Sequence, residues 1–365
     1  SYTGEDMLEI SSHGGRFVVE SIFKIINNSK EARLAEPGEF TRRAFENNKL
    51  DLTQVEAIAD IVNAETEMQR KQAMSHLSGN FFAKSKKIFT QLKKTLANIE
   101  AVIDFSDEDL PQNTLNKTKE QIENNILTIT KMISGADFGI SLRSGFLVVL
   151  LGKPNTGKSS FINYISGKNI SIVTNTPGTT RDLLESFLDI QGVPIKFVDT
   201  AGIRKTTKST DKIEKIGIKL AIKASKESDV NLVFINKKED ILSFKDFKNT
   251  VFVKSKQDIS GANLNNADFY NISSKTGFGV EEVLSKIIAK ITPKAANELG
   301  YISRERHVFC MNNVKKHLIK AKEEKNIDLV AEDIRLAIND LSSLFGSVDI
   351  ENILDIIFAD FCIGK

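Results

Sequence analysis

Residues 152–159 read Gly-Lys-Pro-Asn-Thr-Gly-Lys-Ser. Glycines followed by a Lys-Ser pair at this spacing wrap backbone N–H groups around a phosphate chain. Gly152 and Gly157 let the backbone approach closely, Lys158 meets β- and γ-phosphate oxygens, and Ser159 reaches magnesium. Asn155, Thr156 and Ser160 belong to the same turn. An apolar run at 146–151 precedes it and a helical pattern opens at Phe161, the setting in which such a loop binds nucleotide. Residues 199–202 read Asp-Thr-Ala-Gly and close the apolar run 195–198. A carboxylate at that strand end can hold the water shell of magnesium. Thr200 and Ala201 share the turn, and Gly202 can offer its N–H to the γ-phosphate. Between the two motifs, residues 178–182 read Gly-Thr-Thr-Arg-Asp, a switch loop in which Thr180 is the second hydroxyl for magnesium.

Choosing guanine needs a carboxylate facing its N1–H and N2 amino group, and the usual carrier is Asn-Lys-x-Asp after the fifth strand. Residues 236–239 read Asn-Lys-Lys-Glu, but they follow the fourth apolar run and end in Glu. Residues 255–258 read Ser-Lys-Gln-Asp and follow the fifth. We assign Ser255, Lys256 and Asp258 to the base, with Ser273, Ser274 and Lys275 as the accompanying loop. Ser255 brings no side-chain amide, which predicts lowered affinity, while Asp258 keeps the choice of base. The residue after the Asp-Thr-Ala-Gly motif is Ile203 rather than a water-positioning Gln, so hydrolysis needs another solution.

These motifs need a sheet to carry them, and the apolar spacing supplies one. Short runs at 146–151, 184–190, 195–198, 230–235 and 251–253 alternate with helical or polar segments, the rhythm of a mostly parallel, doubly wound sheet. On either side the period is helical. Ile88, Leu92, Leu96, Ile99 and Ile103 form one stripe, and Ile122, Ile126, Ile129 and Ile133 another. Ile334, Ile338, Leu341 and Phe345, then Ile353, Ile357 and Phe361, continue the pattern, and Thr53 with Glu56 reads as a capping box. The expected architecture is multidomain: a P-loop α/β domain at 145–292 inserted into an all-α helical domain at 50–144 and 293–365. Residues 1–49 precede it as a partial α/β piece, too short to close its own core.

The chain has 365 residues, 41% apolar and 27% charged, within the range of ordinary soluble domains. A formal net charge of +2 excludes attraction of the whole molecule to nucleic acid and leaves only local patches. Two cysteines, Cys310 and Cys362, exclude a disulfide framework and fit a reducing compartment. No stretch has the length of a membrane span and no signal peptide opens the chain, so the expectation is cytoplasmic. Because the first residue is Ser1, an N-terminal portion is expected to be absent.

Taken together, the chain resembles the MnmE (TrmE) family of tRNA-modifying GTPases over essentially its whole length. The resemblance is carried by Ser-Tyr-Thr-Gly-Glu-Asp at 1–6, His13-Gly14-Gly15, Pro37-Gly38-Glu39-Phe40, Lys49-Leu-Asp-Leu, Asp104-Phe-Ser-Asp-Glu and the terminal Phe361-Cys362-Ile363-Gly364-Lys365. It implies that residues 1–49 are the C-terminal part of a tetrahydrofolate-binding domain, with 5,10-methylene- or 5-formyl-tetrahydrofolate contacted by Glu9, Lys49 and Lys365. It implies a potassium site of Asn155, Thr174, Thr176 and Thr179, placing a cation where other GTPases insert an arginine finger. Magnesium would be held by Ser159 and Thr180. Glu214 would orient the attacking water, although it stands farther from Asp199 than the family pattern leads one to expect; an exposed helix-start glutamate is the alternative. The implied partners are a second copy of the chain, the flavoprotein MnmG in a heterotetramer, and tRNA, with no membrane. The implied product is a carboxymethylaminomethyl group at C5 of the wobble uridine. Two other readings stay open: a ribosome-assembly switch GTPase without RNA chemistry, and a folate aminomethyl transferase in the N-terminal piece. Cys362 is open between a reactive thiol and a packing residue.

Overall fold

The computed structural model describes residues 1–30, 32–104, 113–167, 184–199, 222–244, 246–260, 269–292, 302–346 and 357. They divide into two compact units: Ser1–Asn63, Ala73–Ser134 and Arg304–Lys365 in one, Ala64–Gln72 and Gly135–Ser303 in the other.

The second unit is built on a six-stranded sheet. Its strands are β1 (Phe146–Gly152), β2 (Leu184–Ile190), β3 (Val193–Asp199), β4 (Val230–Ile235), β5 (Thr250–Lys254) and β6 (Tyr270–Asn271). Their order across the sheet is β2-β3-β1-β4-β5-β6. All neighbours are parallel except β2 and β3. That pair is a hairpin closed by Gln191 and Gly192, both at positive φ (55° and 86°), as a two-residue primed turn requires. The central strands β1 and β4 are apolar and buried along nearly their whole length, the composition of parallel strands covered on both faces. On one face Leu150, Phe161, Phe197, Phe234, Val253 and Ile287 form the main core. On the other, Val149, Leu151, Val198, Val233 and Phe269 form a second. The flanking helices are α7 (Ala136–Ser144), α8 (Lys158–Gly167) and α9 (Val280–Ile291). Gly139 of α7 lies so close to Ile302 that a Cβ there would stand 2.0 Å from its carbonyl oxygen. The two ends of the segment Gly135–Ser303 therefore lie side by side.

The first unit holds α1 (Arg16–Asn28), α2 (Glu39–Glu46), α3 (Leu52–Val62), α5 (Asn80–Asp104), α6 (Asn113–Ile133), α10 (Glu305–Glu323) and α11 (Ile327–Leu344). A helix α4 (Glu67–Leu77) has residues in both units. Helices α5, α6, α10 and α11 pack each against the next as a bundle. The α5 stripe buries Ile88, Leu92, Thr95 and Ile99, while α6 is rotated from the expected stripe and buries Ile122, Asn125, Ile129 and Met132.

The start of α3 corrects the expected cap. Asp51, not Thr53, is the cap: its carboxylate accepts from the N–H of Thr53 at 2.8 Å and of Gln54 at 3.1 Å. The Gln54 side chain accepts in turn from Asp51 N–H at 3.1 Å. Glu56 instead points inward, 3% exposed. It meets His307 Nε2 at 2.8 Å and Arg306 Nη2 at 3.0 Å, while Arg304 reaches Asp60 at 2.7 Å. Burial opposes a charge on Glu56, but His307, Arg306 and Arg304 outweigh it and hold the carboxyl well below its ordinary range. Burial pushes His307 below its ordinary 6.5 against the pull of Glu56. The ring donates its Nε2–H to the Glu56 carboxylate, and its buried Nδ1 has no partner among the described residues.

Residues 1–49 show two helices and no strand among the described residues, where an α/β piece is expected. None of the α1 side chains is buried. The segment is tied down by Tyr2 to Thr41 at 2.9 Å and by Asn47, whose side chain donates to the Thr3 carbonyl at 2.8 Å.

Candidate functional site at the carboxyl end of the sheet

β1 delivers the phosphate-binding sequence at its carboxyl end, between β3 and β4, where open α/β sheets place their ligands. Gly152 has φ +137°, and a Cβ on it would come within 2.4 Å of the Phe234 carbonyl on β4. Gly157 has φ +98°, and its Cβ would meet Ser255 Oγ at 2.5 Å. The glycine spacing is therefore imposed by neighbours on both sides of the loop. Between them Asn155 adopts the left-handed region at φ +60°, which asparagine tolerates better than most residues.

Lys158 begins α8 and is 4% exposed. Its ammonium donates to the carbonyls of Gly152 and Lys153, each at 2.8 Å, so the loop curls around its own lysine. Thr156 Oγ1 donates to the Lys153 carbonyl at 2.8 Å and tightens the same curl. Ser159 Oγ donates to Asp199 Oδ2 at 2.7 Å, from the first turn of α8 to the end of β3. A hydroxyl and a carboxylate at that separation, beside a helix N-terminus, are the hard oxygen donors that magnesium takes. Among the described residues no three His, Cys, Asp or Glu side chains gather as a metal site. A magnesium ion here would accordingly lean on single oxygens and on substrate phosphates.

The loop after β5 sits against the phosphate loop. Ser255 Oγ donates to the Thr156 carbonyl, so the residue that lacks an amide still ties one loop to the other. Asp258 lies in the helical turn Gln257–Ser260, and its Oδ1 accepts from Ser273 Oγ at 2.8 Å. Ser273 is buried, and its oxygen also accepts from the N–H groups of Lys275 and Thr276 at 3.3 Å. The Ser274 hydroxyl is buried beside it with no partner among the described residues. Lys256 holds positive φ (65°), and Gln257 N–H donates to the Ile272 carbonyl at 3.1 Å. Ser255, Asp258, Ser273 and Ser274 are thus gathered into one corner beside Thr156 and Gly157.

Residues 236–239 do something else. The N–H groups of Asn236 and Lys237 both donate to Asp240 Oδ2 at 3.1 Å, and Lys153 meets Asp240 Oδ1 at 2.7 Å. Lys153, then the N–H groups of Lys237 and Asn236, hold the Asp240 carboxyl down to about 2. This turn is a brace for the phosphate loop. The sequence gives little warning of it, since Asp240 belongs to no motif and pairs across 87 positions.

Of the other candidates, Ser160 is exposed on α8. Glu9 and Lys49 are exposed, and the Lys49 side chain lies against Gly4. A cleft of about 290 Å³ in that segment is lined by Arg33, Glu39, Phe40 and Arg43. Thr174, Thr176, Thr179, Thr180, Thr200, Ala201, Gly202, Glu214, Cys362 and Lys365 lie outside the described residues. Cys310 is buried, and burial pushes its thiol up to about 11.

Two family patterns divide the chain: "GTP-binding protein TrmE N-terminus" matches residues 1–49 and "MnmE helical domain" matches residues 52–362. The tRNA modification GTPase MnmE of Roseobacter denitrificans is 38% identical over all of this chain and 84% of its own length. That of Pelagibacter ubique is 40% identical with the same coverage. Among solved structures, the G domain of the T. maritima FeoB iron transporter is 24% identical. It covers 40% of this chain and 98% of its own, at a TM-score of 0.29, too low to carry an argument. On its whole-length matches, the chain belongs to the MnmE family of tRNA modification GTPases.

Proposed function

We propose that this chain binds GTP with magnesium, hydrolyses it, and uses the resulting change of state in modifying tRNA. The observation that carries the reading is the convergence of Lys158, Ser159, Asp199 and Asp258 on one end of the sheet. Lys158 exchanges its loop carbonyls for β- and γ-phosphate oxygens, while the N–H groups opening α8 face the same charge. Asp258, oriented by Ser273, accepts from guanine N1–H and N2–H₂. Ser159, with Asp199 behind it and Thr180 from the switch loop, holds magnesium, which supplies charge neutralisation on the phosphates. Residues 145–292 are the GTPase domain in this reading, 50–144 and 293–365 the helical domain.

The finer assignments rest on the family. Asn155, with Thr174, Thr176 and Thr179, holds a potassium ion. Glu214 orients the water, since Ile203 cannot. Residues 1–49 contribute Glu9 and Lys49, with Lys365, to a tetrahydrofolate site, and the folate one-carbon unit goes to C5 of the wobble uridine. MnmG supplies the flavin chemistry, two copies of this chain pair, and the work is done in the cytoplasm. Among the described residues no helix is long and apolar enough to cross a membrane.

Nucleoside mass analysis of tRNA from cells lacking the protein tests the reading. Loss of the carboxymethylaminomethyl-uridine signal is expected, and an unchanged profile would overturn it. Turnover of GTP in potassium against sodium tests the cation. Equal rates, or no loss in Asn155→Ala, would remove the potassium site.

A further inference from the structure

Between Glu67 and Glu100 the sequence contains no acidic residue, and most of that interval is α5. The helix buries Phe81, Ser85, Ile88, Leu92, Thr95 and Ile99 in the bundle. Outward it presents Lys84, Lys86, Lys87, Lys93 and Lys94, all exposed. Two half-buried rings are interleaved with them. The Lys86 ammonium stands 5.2 Å from the Phe82 ring centroid, and that of Lys93 4.6 Å from Phe89. Both rings are fixed edge-on by Phe345, at 5.1 and 5.7 Å. Phe82, Lys86, Phe89 and Lys93 follow one another at steps of four, three and four, so they form one stripe about 16 Å long.

A merely solvated helix face intersperses acids at three and four residues from its lysines, which lowers the repulsion between like charges. Here that relief is missing. Lys86, Lys87, Lys93 and Lys94 have no ion pair among the described residues. Three nearby acids are engaged elsewhere: Glu100 at the end of α5 and Glu332 on α11 with Arg335 at 2.9 and 3.3 Å, and Glu123 on α6 with Lys322 at 3.0 Å. Among the described residues these four lysines therefore carry positive charge without an ion pair, and two of them, Lys86 and Lys93, are held by aromatic contacts. Such a row fits a polyanion of regular spacing, and basic residues interleaved with rings suit nucleic acid. A lipid surface fits less well, because the apolar side of α5 is already spent inside the bundle and cannot insert among acyl chains.

We propose that the outward face of α5 is a docking surface for the phosphate backbone of RNA, which under the function proposed above is the tRNA substrate. The inference rests on that reading for the identity of the RNA. Phosphate contacts of this kind orient the RNA without reading its sequence.

The test uses the full chain and a fluorescein-labelled tRNA transcript, with anisotropy titrations from 50 to 200 mM potassium chloride. The variant Lys86→Ala, Lys87→Ala, Lys93→Ala, Lys94→Ala alters only exposed side chains. GTP turnover without RNA should match the parent and report an intact fold. A control variant neutralises Lys315, Lys316 and Lys320 on α10. The α5 variant should bind roughly tenfold to a hundredfold more weakly, with its log affinity against log salt slope shallower by about 3, and the control should change much less. Unchanged affinity and slope in the α5 variant would overturn the proposal, and so would equal losses in both variants. Retained tRNA binding with lost binding to phosphatidylserine vesicles would assign the face to membranes and overturn it too. If the parent itself fails to bind tRNA, the RNA reading falls together with this surface; if the parent binds and the α5 variant binds equally, only this surface falls.

Discussion

Replacing Asp258 with Asn should exchange one base for another rather than abolish nucleotide binding. Ser273 Oγ donates to Asp258 Oδ1 at 2.8 Å, and an asparagine oxygen can accept that same bond. The new amide is thereby oriented with its nitrogen where the second carboxylate oxygen stood. Toward guanine it turns one acceptor into a donor that faces a donor, and it removes the charge from the acceptor that remains. Hydrogen bonds to a charged group are worth about 1.5–3 kcal/mol each, so the loss is about 3–6 kcal/mol, or roughly 10²–10⁴ in affinity for GTP. Xanthine carries a carbonyl where guanine carries its amino group, and the amide can donate to it. The assay is competition of labelled GDP by GTP and by xanthosine triphosphate, in parent and Asp258→Asn. The parent should prefer GTP strongly and the variant should reverse the order. If the variant keeps parental GTP affinity, Asp258 does not face the base, and Asn236 to Glu239 must be reconsidered.

Three further outcomes follow from the same geometry. Gly157→Ala sets a Cβ against Ser255 Oγ at φ +98°, so GTP affinity should drop by roughly tenfold or more while circular dichroism of the fold is kept; parental affinity would show that the two loops can part freely. Ser255→Ala removes the tie to the Thr156 carbonyl and should weaken GTP about threefold to tenfold, one hydrogen bond's worth, in the same competition assay. The bundle should lose stability in acid. Because the folded pKa of His307 lies below 6.5, the unfolded chain takes up a proton below that pH which the folded bundle refuses. The unfolding free energy then declines by up to about 1.4 kcal/mol per pH unit, until the folded pKa is passed. Glu56, depressed below its ordinary 4.5, adds a loss of the same sign below pH 4.5. Urea midpoints at pH 7.5, 6 and 5 should show the decline, and His307→Asn should flatten the part between 6.5 and 5.

The sheet was legible because buried parallel strands are written as short apolar runs, and Val230–Ile235 is buried at every position. The phosphate loop was legible because each glycine answers a local steric demand. What the sequence concealed were pairings across long separations. Two overlapping cap patterns stand at the start of α3, and periodicity alone cannot rank Asp51 with Gln54 above Thr53 with Glu56. What decides is a partner 251 positions away, His307, which claims the Glu56 carboxylate for the interior. Ser255 likewise looked like a lost amide, until Thr156, 99 positions earlier, proved to be within its reach. On α6 the buried face takes in Asn125, a polar side chain that an apolar stripe does not mark.

The proximity of Gly139 and Ile302 also bears on the order in which the chain is completed during synthesis. α6 ends at Ile133, and its bundle partner α10 does not begin until Glu305. At ordinary elongation speeds the ribosome needs roughly 10–30 s to make the intervening chain. Through that interval α5 and α6 hold apolar stripes without α10 and α11 to cover them. The sheet unit between has both ends brought together and its own core, so it can close first and keep the two halves of the bundle near each other. The helices that wait longest for their partners are therefore the segment most dependent on chaperones, and a pause in translation just after Ile302 would prolong that dependence.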